Sequence, residues 1–105
     1  MKLTKIYSDD CHVCASLGTK AVPLAKAAGW DYDTISLEEL ANSPSDLRDY
    51  VVNYHVSGVD GMIDLPIYVI TTSQGSIQGS SVVENLDEVQ NLIDSWKQWE
   101  ASQKP

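Results

Sequence analysis

Both cysteines of the chain lie three positions apart, in Asp9-Asp10-Cys11-His12-Val13-Cys14, between a strand-like run, Leu3 to Ser8, and a helical run, Ala15 to Ala28. No other feature restricts fold and chemistry so tightly, because the pair falls where a strand turns into a helix. The first amides of a helix lack intrahelical acceptors and carry partial positive charge, which favours thiolate over thiol. Cys11 is therefore the expected nucleophile. Positions three apart on a helix share a face at about 5 to 6 Å, a span that a disulfide accepts, so Cys14 can close on Cys11 as the resolving thiol. Two other uses compete with a redox dithiol. A structural disulfide across so short a loop constrains the unfolded chain little. Zinc takes about four ligands, and beside the two cysteines the chain has only His12, poorly placed inside the pair, and His55. An incidental buried pair and a metal site stand as the alternatives.

A chain of 105 residues, 43% of them hydrophobic, can bury one core, so residues 1–105 are read as a single domain. Fifteen acidic against seven basic residues give a formal charge of -8, which disfavours nucleic acid or an anionic membrane as partner. Met1-Lys2 leads straight into the first strand without an apolar leader, and no run reaches membrane-spanning length. A cytoplasmic setting is the expectation. In a reducing cytosol C-x-x-C is more often catalytic than structural.

Along the chain, Lys2 to Ser8 reads as a central strand apolar on both faces. Asp10 is a candidate N-cap for a helix in which Cys14, Leu17, Ala21, Leu24, Ala25 and Ala28 recur at helical spacing, with a kink expected at Pro23 and an end at Gly29. Trp30 to Ile35 alternates aromatic and acidic residues, as a strand near a sheet edge does. Leu37 to Ala41 reads as a turn of helix or loop. Ser43-Pro44-Ser45-Asp46 then suggests an N-cap with proline at the first helical position, followed by Leu47, Tyr50, Val51 and Tyr54 and an end near His55, itself expected at the surface. After a loop over residues 57–61, Ile67 to Ile70 form a buried strand headed by Pro66, where a cis bond is tolerated. Ser73-Gln74-Gly75 turns the chain into a return strand, Ser76 to Ser81. Asn85-x-x-Glu88 caps a last helix with Leu86, Val89, Ile93 and Trp96 on its apolar face; Trp96 and Trp99 are read as packing residues.

This order, with C-x-x-C after the first strand and Leu65-Pro66 about fifty residues on, resembles the thioredoxin fold in its small, glutaredoxin-sized form. The resemblance implies an α/β, thioredoxin-like domain: a four-stranded mixed sheet with its strands in the order second, first, third, fourth, flanked by three helices. It implies a cis Pro66 facing Cys11 and Cys14, and a Leu65 backbone placed to pair with a substrate segment. Neither subfamily motif is matched. Thioredoxins carry Trp-Cys-Gly-Pro-Cys and glutaredoxins commonly Cys-Pro-Tyr-Cys. Where thioredoxins have a buried acid six residues before the first cysteine, this chain has Lys5, expected to lay its stem along the core and reach solvent. Gly79-Ser80-Ser81 only partly echoes the paired glycine of glutaredoxins.

The resulting expectation is a thiol-disulfide oxidoreductase that reduces protein disulfides, with no cofactor or metal beyond its own disulfide. A thioredoxin-reductase-type or glutathione-based system would recharge it, and the chain would act as a monomer. A glutathione-coupled glutaredoxin and a non-catalytic binding module are the rivals. Asp10, His12 and Val13 are the expected modulators. Asp9 and Asp10 oppose a thiolate and His12 favours it. Val13 stands where thioredoxin has proline, a change that the resemblance links to a less reducing dithiol. The potential is expected between about -270 mV and the glutaredoxin range of about -200 to -230 mV.

Overall fold

A computed structural model describes residues 1–57 and 62–102. The elements run β1 (Lys2–Tyr7), α1 (His12–Leu17), α2 (Ala21–Ala27), β2 (Asp31–Ser36), α3 (Leu37–Asn42), α4 (Asp46–His55), β3 (Val56–Ser57), β4 (Met62–Ile63), β5 (Ile67–Thr71), β6 (Ile77–Val82) and α5 (Leu86–Ser102). The main sheet has the order β2-β1-β5-β6, which is the expected second-first-third-fourth arrangement of its four strands. β1 runs parallel to β2, with Ile6 opposite Ile35, and antiparallel to β5, with Ile6 opposite Ile67. β6 closes the sheet antiparallel to β5. A short ribbon of β3 and β4 stands apart from it. The loop expected at 57–61 falls, for residues 58–61, outside the described residues.

Because β1 is central and covered on both sides, Leu3, Thr4, Lys5 and Ile6 are all buried. Alternation then divides the core. Leu3, Tyr68 and Ile70 point to one face and pack with Ala21 and Ala25 of α2 and Val89 and Ile93 of α5. Ile6, Ile67 and Val69 point to the other and pack with Leu40 of α3 and Val51 of α4. Gly79 in β6 is required by close packing, since a Cβ there would overlap the indole of Trp96. Trp96 in turn meets Trp99 edge-on at 5.4 Å, as packing residues do.

Among the described residues there are five helices, not three. The helical run after the cysteines breaks at Gly18, whose φ of 50° and ψ of -124° end α1, and not at Pro23. Pro23 lies in the first turn of α2, where a missing amide costs no intrahelical bond. The segment after β2 is a full helix, α3, because Ser36 Oγ accepts from the Glu39 amide at 3.1 Å and caps it. In α4 the cap is Ser45, whose Oγ accepts from the Arg48 amide at 3.0 Å; Pro44 precedes the cap instead of opening the helix. The α5 cap is as read, with Glu88 N donating to Asn85 Oδ1 at 3.0 Å.

Candidate functional site

β1 ends at Tyr7, and a tight turn in which the Cys11 amide donates to Ser8 O at 3.2 Å delivers the first cysteine to the start of α1. The N-cap is Cys11 itself, with extended backbone and its Sγ accepting from the Cys14 amide at 3.1 Å. Asp10, expected as the cap, is exposed one residue earlier. The sulfur thus takes the place that a capping oxygen usually fills, and an orphan helix amide already points at it. Cys11 and Cys14 are joined as a disulfide, with their Cα atoms 5.2 Å apart. The two ends differ in access: Cys11 is half-buried, whereas Cys14 is 3% exposed.

Leu65-Pro66 is cis. Since Ile6 pairs with Ile67, Pro66 lies level with Tyr7, at the end of the sheet from which the chain runs on to Cys11. Pro66 is buried, and its carbonyl accepts from the Val83 amide at 3.2 Å. Leu65 is half-buried against the α3 and α4 side of the core. His12 projects outward, and Val13 packs on the opposite core beside α2 and α5. Asp9 and Asp10, which precede Cys11 in the chain, line a hollow at the ends of β1 and β2 together with Tyr7, Glu38 and Glu39.

Lys5 departs most from its reading. It does not reach solvent: the residue is 5% exposed, and its Nζ donates to Cys14 O at 2.9 Å and Gly18 O at 2.8 Å. Burial lowers its pKa from the ordinary lysine value. A cation within the run Leu3-Thr4-Lys5-Ile6, buried throughout, was the available signal. On the same face, burial raises the pKa of both Tyr32 and Tyr68. Among the described residues neither phenol oxygen has a hydrogen-bond partner, although the two groups interact across β1.

His55 also departs from its surface reading. It is half-buried, its Nε2 bonded to Ser80 Oγ, which pairs in addition with Tyr50 OH at 2.9 Å. Burial lowers its pKa. This cluster belongs to the α4 side of β6, the sheet face opposite Lys5, so His55 does not join the cysteines. Among the described residues no three His, Cys, Asp or Glu side chains gather in a way that could hold a metal ion. Nor is any described helix long and apolar enough to cross a membrane.

No protein-family model matches the chain, and no curated protein matches it. Solved structures do. Thioredoxin 1 from Thermosipho africanus aligns over 99% of this chain and 100% of its own, with a TM-score of 0.61 and 23% identity. The Schistosoma mansoni thioredoxin pre-protein gives 0.63 at 12% identity, covering 90% of this chain and 76% of its own. Fasciola hepatica thioredoxin gives 0.60 at 14% identity, over 90% and 78%. At such identities the likeness shows the fold, and that fold is thioredoxin's.

Proposed function

We propose that this thioredoxin-fold chain is a thiol-disulfide oxidoreductase that reduces protein disulfides in a reducing cytosol. The observation that carries the reading is a disulfide whose less buried member, Cys11, caps a helix at the end of the central strand, while its partner Cys14 is buried one turn in. In the reduced protein the Cys14 amide and the α1 terminus favour the Cys11 thiolate. That thiolate attacks one sulfur of a substrate disulfide. A bond forms from Cys11 Sγ to that sulfur, the substrate bond breaks, and the other substrate sulfur leaves as a thiolate that takes a proton from water. Cys14 then attacks Cys11 Sγ and expels the second substrate thiolate. Two electrons have passed to the substrate, and the Cys11-Cys14 disulfide is restored. Leu65, held at the same end of the sheet, offers backbone groups to a substrate strand. An external reductase, of thioredoxin-reductase type or acting through glutathione, returns the dithiol.

Trapping with Cys14→Ser tests this. The mixed disulfide should accumulate on Cys11 when the reduced variant meets insulin or a cell extract, and dithiothreitol should release it. A reduced wild-type protein that leaves insulin disulfides intact would refute the reading. Supplying NADPH with thioredoxin reductase, or with glutathione and its reductase, identifies the recharging system by which one restores the dithiol.

A further inference from the structure

We infer that Lys5 is a positioning residue for the dithiol: its buried ammonium, bonded to the carbonyls of Cys14 and Gly18, holds positive charge behind the resolving cysteine and favours the Cys14 thiolate. The step it serves rests on the oxidoreductase reading above; the electrostatic effect on Cys14 does not.

The need for such a charge follows from burial. Cys14 is 3% exposed, and removing a thiol from water disfavours its ionised form. The Cys14 amide is already engaged with Cys11 Sγ, so it does not serve its own sulfur. Left alone, Cys14 would be a poor nucleophile at neutral pH. Lys5 supplies what is missing. Its Nζ lies 2.9 Å from the carbonyl oxygen of Cys14 itself, so the charge stands one hydrogen bond from the backbone of the residue that carries the sulfur. Both contacts are in the short range of charge-assisted hydrogen bonds. The acceptors belong to the C-terminal end of α1, where the helix dipole favours a cation. They hold the ammonium in place without neutralising it.

Among the described residues no carboxylate lies within ion-pair distance of Lys5; the ion pairs found are Met1 with Glu100 and Lys2 with Asp33. The other ionisable groups on this face are few. Tyr68 of β5 stands opposite Lys5 and Tyr32 belongs to β2; burial raises both, so both are neutral through the working range. His12 of α1 and Lys20 and Lys26 beside and within α2 are exposed to water. α5 presents Val89 and Ile93 to this core, and its Glu100 engages the amino terminus. The carboxylates nearest in sequence, Asp9 and Asp10, are exposed on the Cys11 side.

In the resolving step Cys14 gives its proton to water, and the thiolate is stabilised by Lys5 while it waits. Cys14 Sγ bonds to Cys11 Sγ, the bond from Cys11 to the substrate sulfur breaks, and that sulfur leaves as a thiolate and is protonated by water. Lys5 exchanges no proton or electron with the substrate.

The test uses the full chain carrying Cys11→Ser, which leaves one thiol, titrated by the ultraviolet absorbance of its thiolate. With Lys5 present, Cys14 is expected to titrate below the ordinary thiol value of about 8.5 in spite of its burial. Adding Lys5→Met, which keeps the stem and removes the charge, should cut the thiolate fraction at neutral pH about tenfold, a rise of about one pKa unit. A Cys14 that titrates at or above the ordinary value with Lys5 in place overturns the inference, and this arm decides alone if Lys5→Met does not fold. So does an unchanged titration in a folded Lys5→Met protein that has merely lost melting temperature, because a structural cap would act on stability only. Neither arm contains a substrate, so failure here is separate from failure of the insulin assay.

Discussion

The two faces of the sheet bury different chemistry. Toward α3 and α4, the hydrophobic core residues Ile6, Ile67, Val69, Leu40 and Val51 are aliphatic, the buried polar residues Thr4 and Thr71 carry only neutral hydroxyls, and the ionisable groups Tyr50 and His55 are held at the rim, on Ser80 of the edge strand. Toward α1, α2 and α5, the core contains Lys5 and the phenols of Tyr32 and Tyr68. The redox helix lies on this second face. An aliphatic layer stabilises by area removed from water and tolerates little change in shape. A layer with buried polar atoms costs stability wherever those atoms lack partners, and in exchange it can set charge next to the cysteines. One face supplies stability and the other supplies tuning.

The largest expected effect lies on the aliphatic face. Ile67, fully buried beside Ile6 and Val69, should lose about 2 to 5 kcal/mol on Ile67→Ala, from lost transfer energy and the cavity left behind. Urea unfolding of the oxidised protein measures it. A loss below about 1 kcal/mol would mean that this layer collapses around the gap, and the contrast between faces would weaken. On the other face Gly79→Ala is expected to cost about 1 to 3 kcal/mol, because the new methyl meets the Trp96 ring and not a flexible chain end. Trp96 fluorescence should shift with it. An unchanged spectrum and an unchanged midpoint would show that α5 slides freely over β6.

The rim cluster gives a smaller, pH-dependent effect. Burial depresses the pKa of His55 in the folded protein, so the folded state binds fewer protons than the unfolded one. The sign follows: the associated stability is fully present above the unfolded value of about 6.5 and is lost as pH falls below it. Wild type should therefore lose more stability between about pH 7 and about pH 5 than His55→Gln, in parallel urea titrations. Equal losses would show that His55 is as well solvated folded as unfolded, and that the rim is not part of the packed layer.

What could be read without coordinates divides along physical lines. The cysteine pair, the two-faced burial pattern of Lys2 to Ser8 and of Ile67 to Ile70, and the Asn85-Glu88 cap are local signals, and local geometry determines them. The break after Cys14 was legible in kind but misplaced. Pro23 lacks an amide donor, but a proline in a first turn is harmless, and the positive φ at Gly18 ends the helix. Ser36-Leu37-Glu38-Glu39 has the spacing of a capping box, and α3 could have been found from it. Lys5 and His55 were misread for a different reason. Whether a lysine snorkels or turns inward depends on which carbonyls another segment presents, and no window around Lys5 contains the Gly18 carbonyl. The same holds for His55 and Ser80, which are 25 positions apart.

The smallest expected effect sharpens the comparison most. Tyr68→Phe deletes one oxygen from the centre of the tuning face and leaves the ring, which carries the packing. Among the described residues that oxygen is buried without a partner, and burial is the first cause of its raised pKa, followed by Tyr32. An unsatisfied hydroxyl costs its desolvation and returns no hydrogen bond, so removing it should be neutral or should stabilise by up to about 1 kcal/mol. A loss of more than about 1 kcal/mol would reverse the assignment. It would show that the hydroxyl is satisfied, through a tighter approach to Tyr32 or through a buried water between them. The two cases separate in a double-mutant cycle with Tyr32→Phe. A coupling of about 0.5 kcal/mol or more says that the phenols act together. The polar atoms of this face would then form a network beside Lys5 instead of isolated defects. A coupling near zero with a neutral Tyr68→Phe leaves Lys5 as the polar group of this face held by hydrogen bonds to the redox helix, as its two carbonyl contacts indicate.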